Sequence, residues 1–145
     1  MKDFSLWLKL AAVFQLITFV IHALTFFIKP APTNDTETQI FDLMRNYKFD
    51  FGGGFYRSMG DLTTGLSVCF CLVCLLGGLM NWYLLRKGVG SDVMSGIINI
   101  NLVVFAACFV DMCIFTFLPP IILTALILIF LILARISISS LNGNP

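Results

Sequence analysis

The chain has 145 residues, of which 59% are hydrophobic and 12% charged, with a mean hydropathy of +0.95 and a formal net charge of +1. A soluble domain carries about 25% charged residues, so this composition excludes an ordinary soluble fold and fits one domain, residues 1–145, in the membrane. Nine basic residues balanced by eight acidic ones leave no basic surplus, and a nucleic-acid partner is not expected.

The first apolar run covers about 4–28, long enough to cross the ~30 Å hydrocarbon core. It is too long for the h-region of a signal peptide and reads as a retained span in which Lys9 can snorkel towards the headgroups. Gln15, Thr18, His22 and Thr25 recur three or four residues apart, forming a polar stripe expected to face other helices rather than lipid.

Residues 29–57 form a polar segment with four basic residues (Lys29, Arg45, Lys48, Arg57) and four acidic ones (Asp35, Glu37, Asp42, Asp50). Pro30 and Pro32 are expected to stop the first helix, and Thr36-Glu-Thr-Gln39 reads as a capping box opening another. Ile40, Leu43, Met44, Tyr47 and Phe51 then follow helical spacing, predicting a short amphipathic helix over the membrane surface or the mouth of a bundle. The alternative is a solvated loop. Gly52-Gly53-Gly54 would release the chain from that helix and turn it back into the bilayer. Asn34-Asp-Thr36 is a glycosylation sequon that matters only in a eukaryotic host.

Further spans are predicted over 59–85, 93–118 and 119–136. Asn99 and Asn101 interrupt the third, and Pro119-Pro120 implies a tight turn into the fourth. The fourth, with only Thr124 polar, reads as the most lipid-exposed. The expected fold is an all-α membrane protein: an antiparallel four-helix transmembrane bundle with a short amphipathic helix in the first extracytoplasmic loop. Lys2, Lys9, Arg86, Lys87 and Arg135 on one side against Lys29, Arg45, Lys48 and Arg57 on the other give a five-to-four bias that places both termini in the cytoplasm.

Candidate chemistry gathers near the outer ends of the spans. Arg57 and Asp61 stand four residues apart and are expected on one face of the second span's first turns. His22 is six residues from Ile28 and Asp111 seven from Leu118, so at ~1.5 Å per residue both lie ~9–11 Å inside one leaflet. A buried polar cluster of His22, Arg57, Asp61 and Asp111 follows, with Tyr56 and Thr64 as neighbours. It reads either as mutual neutralisation that sets helix register, or as a pocket for a small molecule, a proton or a lipid headgroup. One histidine and two carboxylates could hold a transition metal, but no tight ligand motif supports one and no cofactor is expected. No nucleophile with an adjacent base, P-loop or dinucleotide fingerprint is present. Cys71-Leu-Val-Cys74 is formally a redox pair, yet it falls deep in the second span with no nearby cation in sequence. Cys69, Cys71, Cys74, Cys108 and Cys113, like Gly77-Gly78 and Ala106-Ala107, are therefore expected to pack helices closely.

Gly54, Arg57, Ser58, Asp61 and Gly65, with His22 late in the first span and Phe115, Phe117 and Pro119 closing the third, resemble a family of small bacterial four-helix inner-membrane proteins without an assigned activity. The resemblance implies a bacterial inner-membrane location and the same four-span topology, and no function. The cysteine-rich second span and Asp111 depart from that family's pattern. The expected function is non-enzymatic: an accessory factor or subunit that sits in the lipid bilayer and binds a membrane protein partner, a second copy or a lipid. The alternative is a membrane-embedded enzyme or carrier for a lipophilic small molecule, with His22 and Asp61 or Asp111 moving protons.

Overall fold

A computed structural model of the chain describes residues 3–28 and 31–142. The stop expected at Pro30, the basic residues Lys2 and Lys29, and the end of the polar tail at 143–145 lie outside the described residues. In chain order the elements are α1 (Asp3–Thr25), α2 (Asp35–Asn46), β1 (Lys48–Asp50), β2 (Tyr56–Ser58), α3 (Met59–Lys87), α4 (Ser91–Phe115) and α5 (Leu118–Asn142). Among the described residues the fold is all-α apart from one small hairpin. α1, α3, α4 and α5 are each long and apolar enough to cross a membrane, which makes the chain a multi-pass membrane protein by length and composition.

The chain forms two compact units, Met1–Phe19 with Val73–Pro145, and Val20–Leu72. The first contains the start of α1, the end of α3, and all of α4 and α5. Its core consists of small and aliphatic side chains at helical spacing: Leu8, Ala11 and Ala12 from α1, Met94, Ile98 and Phe105 from α4. Trp7 of α1 stacks on Phe130 of α5 and Phe14 meets the same ring at a tilt, with ring centroids 6.1 and 5.2 Å apart. On α3, Gly77 and Gly78 let α1 approach closely. A Cβ on Gly78 would stand 2.8 Å from Leu16 Cδ2 and 3.2 Å from the Ala12 carbonyl oxygen.

α5 corrects an expectation. It was read as the most lipid-exposed span, but Thr124, Ile127, Leu131, Ala134 and Ile138 are all fully buried. Their alternating spacing of three and four residues is the seam of a packed helix. The Thr124 hydroxyl donates to the Pro120 carbonyl at 2.8 Å, which lets it enter that seam without an orphaned donor. Thr116 and Phe117 alone separate α4 from α5, the tight connection that the two prolines imply. α5 continues to Asn142, and its apolar span to Ser140, past the end at 136 read from hydropathy.

The second unit holds the end of α1, the polar segment and the start of α3. Its short helix is present, with a different start. Asn34, not Thr36, is the N-cap: its Oδ1 accepts from the Glu37 amide at 2.9 Å. The Glu37 carboxylate reaches back and accepts from the Thr33 amide at 2.7 Å and the Thr33 hydroxyl at 2.8 Å. These bonds hold its carboxyl below the ordinary glutamate range, the Thr33 amide contributing most. The helix ends at Asn46, so Phe51 lies beyond it. The glycines then do more than release the chain. Gly52, Gly53 and Gly54 have φ of 80, 60 and 83°, a run of left-handed residues that side chains disfavour, and they reverse it into an antiparallel hairpin. Lys48, Phe49 and Asp50 pair with Ser58, Arg57 and Tyr56.

Candidate functional site

Two polar centres emerge, one in each unit. In the first unit Gln15 of α1, Asn81 of α3 and Asn101 of α4 are buried together. Gln15 Nε2 donates to Asn101 Oδ1 at 3.2 Å, and Asn81 Nδ2 donates to Gln15 Oε1 at 3.0 Å. Asn81 and Asn101 exchange amide bonds at 3.4 Å, and Asn101 Nδ2 also donates to the Ile97 carbonyl at 3.0 Å. Among the described residues no buried side-chain nitrogen or oxygen lacks a partner. Gly77 makes the room: a Cβ there would lie 2.8 Å from Gln15 Nε2. Three uncharged amides that satisfy one another hold three helices in register and offer neither a proton nor a nucleophile.

The second centre is the junction between the hairpin and α3. Ser58 ends β2 and is 2% exposed; its Oγ accepts from the Asp61 amide at 3.1 Å, and its own amide donates to Asp61 Oδ2 at 2.9 Å. This is a capping box, two donors at a helix start satisfied reciprocally. It explains why α3 begins where it does and why an aspartate stands at the head of an apolar helix. The Thr63 and Thr64 hydroxyls donate to carbonyls one turn back, Thr64 to Gly60 at 2.7 Å. Gly60 lets α2 close on α3: a Cβ at that position would be 3.1 Å from the Met44 carbonyl oxygen. Between them runs a cleft of about 430 Å³ lined by Ile28, Phe41, Met44 and Arg45 on one side and Ser58, Gly60, Asp61, Thr63 and Thr64 on the other. A smaller apolar recess, shaped by Leu43, Met44, Tyr47, Phe49 and Met59, shares Met44 with it.

The six residues expected to form one buried cluster have other surroundings. Arg57 is on β2 rather than on the helix face it was to share with Asp61, because the hairpin runs until Ser58. Its Nη1 donates to the Tyr56 carbonyl at 2.9 Å and its guanidinium lies 6.0 Å from the Phe55 ring centroid. His22 is half-buried with its ring edge-on to Phe70 at 5.3 Å and to Phe26 at 6.1 Å. Tyr56, Asp61 and Thr64 are exposed, as is Asp111, which belongs to the first unit. Only Asp61 and Thr64 of the six line the cleft. Of the expected stripe on α1, Gln15 and Thr18 are buried, whereas Thr25 is exposed. Among the described residues no group of three histidine, cysteine or acidic side chains could hold a metal ion. Cys71 and Cys74 are buried, Cys108 is half-buried, and Cys69 and Cys113 are exposed.

Sequence reading missed Asn81 and the role of Arg45. Asn81 had a signal: Cys74, Gly77, Gly78 and Asn81 make a small and polar stripe at helical spacing, which marks a helix-packing face in a membrane. Arg45 had none, since its place on the cleft depends on how α2 meets α3.

These features define a class, a multi-pass helical membrane protein with a small helix–hairpin unit joined to its first two spans. Comparison with protein-family models, curated proteins and solved structures finds no match.

Proposed function

We propose that the protein is a non-enzymatic lipid-binding component of the bacterial inner membrane, both termini cytoplasmic, that works through residues 31–58. The observation that carries this reading is the uncovered apolar surface of that segment. α2 buries no residue. Leu43, Tyr47, Phe51 and Phe55 are 63, 58, 58 and 61% exposed. In water such a surface is unfavourable by roughly 25 cal/mol for every Å² left uncovered.

The occupant is the bilayer itself, because the segment is tethered to it at both ends. α1 ends at Thr25 and α3 begins at Met59. Aromatic rings interleaved with Arg45, Lys48 and Arg57 are the mixture that the headgroup boundary favours. The location and orientation rest on the family resemblance and on the five-to-four basic bias. Proton movement by His22, Asp61 and Asp111 has less support, since Asp61 is engaged as a cap and Asp111 is exposed on α4.

Extraction in a mild detergent that strips bulk lipid, followed by weighing of the intact complex by native mass spectrometry, tests the reading. It predicts the chain with retained phospholipid and no second protein. A stoichiometric protein partner, or a chain free of lipid, contradicts it.

A further inference from the structure

The cleft between α2 and α3 carries one cation and one anion that do not neutralise each other. Arg45 comes from the last turn of α2 and Asp61 from the first turn of α3. Both side chains are exposed and both line the cleft, yet they form no ion pair, and the Arg45 guanidinium donates no hydrogen bond among the described residues. Asp61 uses Oδ2 for the Ser58 amide, which leaves Oδ1 to accept. Of the amides at this helix start, that of Asp61 is met by Ser58 Oγ and that of Ser58 by Asp61 Oδ2, so the attraction is placed on the two charged side chains. Around these charges stand hydroxyls from Ser58, Thr63 and Thr64 and apolar surface from Ile28, Phe41 and Met44. The adjoining recess beyond Met44 is apolar.

Opposite charges on a single cleft, with an apolar recess beside them, match an amphiphile that carries both charges. The site stands at the start of one span and just past the end of another, where phospholipid headgroups lie. We propose that this cleft holds the headgroup of a zwitterionic phospholipid with a primary amine, its phosphate on Arg45 and its ammonium on Asp61. Arginine suits a phosphate because its planar fork offers parallel N–H donors, and a carboxylate suits an ammonium that still has N–H groups to donate. The inference rests on the lipid-binding reading above and names the headgroup that reading leaves open.

Phosphatidylethanolamine, phosphatidylcholine and phosphatidylglycerol, added separately to the detergent-purified chain and followed by native mass spectrometry, test it. The wild-type chain should retain phosphatidylethanolamine about tenfold better than the other two, the factor that one additional charge-assisted hydrogen bond supplies. Phosphatidylcholine serves as the control, because its ammonium has no N–H. Asp61→Asn keeps an oxygen for the Ser58 amide and should erase the preference, bringing retention of phosphatidylethanolamine down to that of phosphatidylcholine. Arg45→Gln, which disturbs no internal bond, should weaken all three. Equal retention of the three lipids by the wild-type chain, or indifference to Arg45→Gln, overturns the headgroup assignment while lipid binding stands. A chain that retains no phospholipid overturns the underlying reading as well.

Discussion

Ser58 and Asp61 satisfy each other at the head of α3, the Asp61 amide donating to Ser58 Oγ at 3.1 Å and the Ser58 amide to Asp61 Oδ2 at 2.9 Å. The pair turns a hairpin strand into a membrane helix within one residue, and it locates the only acidic side chain of α3 at its first turn. Ser58→Ala should cost about 0.5–2 kcal/mol of stability, the usual loss for a helix N-cap. Thermal unfolding in detergent reads the loss, and faster hydrogen exchange confined to the first turn of α3 identifies its origin. An unchanged exchange rate there would remove the cap from the account.

The amide triad is the second structural device. Gln15→Met keeps volume but removes the bonds to Asn81 and Asn101. Interhelical hydrogen bonds in membranes contribute ~0.6 kcal/mol on average and up to ~1.7, so a loss on the order of 1–2 kcal/mol is expected in reversible unfolding. Replacing all three amides with apolar residues should cost less than the sum of the single losses, because no stranded amide remains. Strict additivity would show that the three do not act as a unit.

Glycines on one helix separate packing from propensity. Gly77→Ala places a methyl 2.8 Å from Gln15 Nε2 and 3.2 Å from Phe105 Cε2, whereas Gly65→Ala meets nothing within 4 Å. The first should destabilise the first unit. The second should be neutral or stabilising by up to about 1 kcal/mol, the helix-propensity gain of alanine over glycine. Equal effects at the two positions would contradict the close approach of α1 to α3.

How much of this was legible follows from contrast in the sequence. The spans stand out because 20 or so apolar residues have no soluble explanation, and α2 because Ile40, Leu43 and Met44 alternate with polar residues at helical period. Its start was misread because Thr36…Gln39 and Asn34…Glu37 both fit a capping pattern, and only the second has Thr33 behind it to receive the returning carboxylate. The buried seam of α5 was invisible because that helix is aliphatic all round, leaving no polar face to define an inward one. Arg57 and Asp61 were placed on one face by assuming that the helix began early; three consecutive left-handed glycines drew residues 56–58 into a hairpin instead. Asp61 was then taken for a charge in search of a partner, when Ser58, three residues away, already supplied one.

Acid should loosen the start of α2. The Glu37 carboxyl titrates below its ordinary range, held there by the Thr33 amide first and the Thr33 hydroxyl next. A depressed folded value means that this contribution is fully present above the ordinary glutamate pKa of about 4.3 and is lost as pH falls through the lower folded value. Amide exchange in α2 should therefore accelerate as pH drops below that range, after correction for intrinsic chemistry, and Glu37→Gln should flatten the dependence. A profile identical in Glu37→Gln would dissociate the capping box from the acid response.

The central claim is that the apolar side of residues 31–58 lies in the membrane surface, and a photoreactive benzophenone side chain replacing Leu43 tests it most directly. Leu43 is 63% exposed and bounds the apolar recess. Irradiated in native membranes, the substituted chain should yield adducts with phospholipid. A single protein adduct, or recovery of the chain without any adduct, would contradict the account.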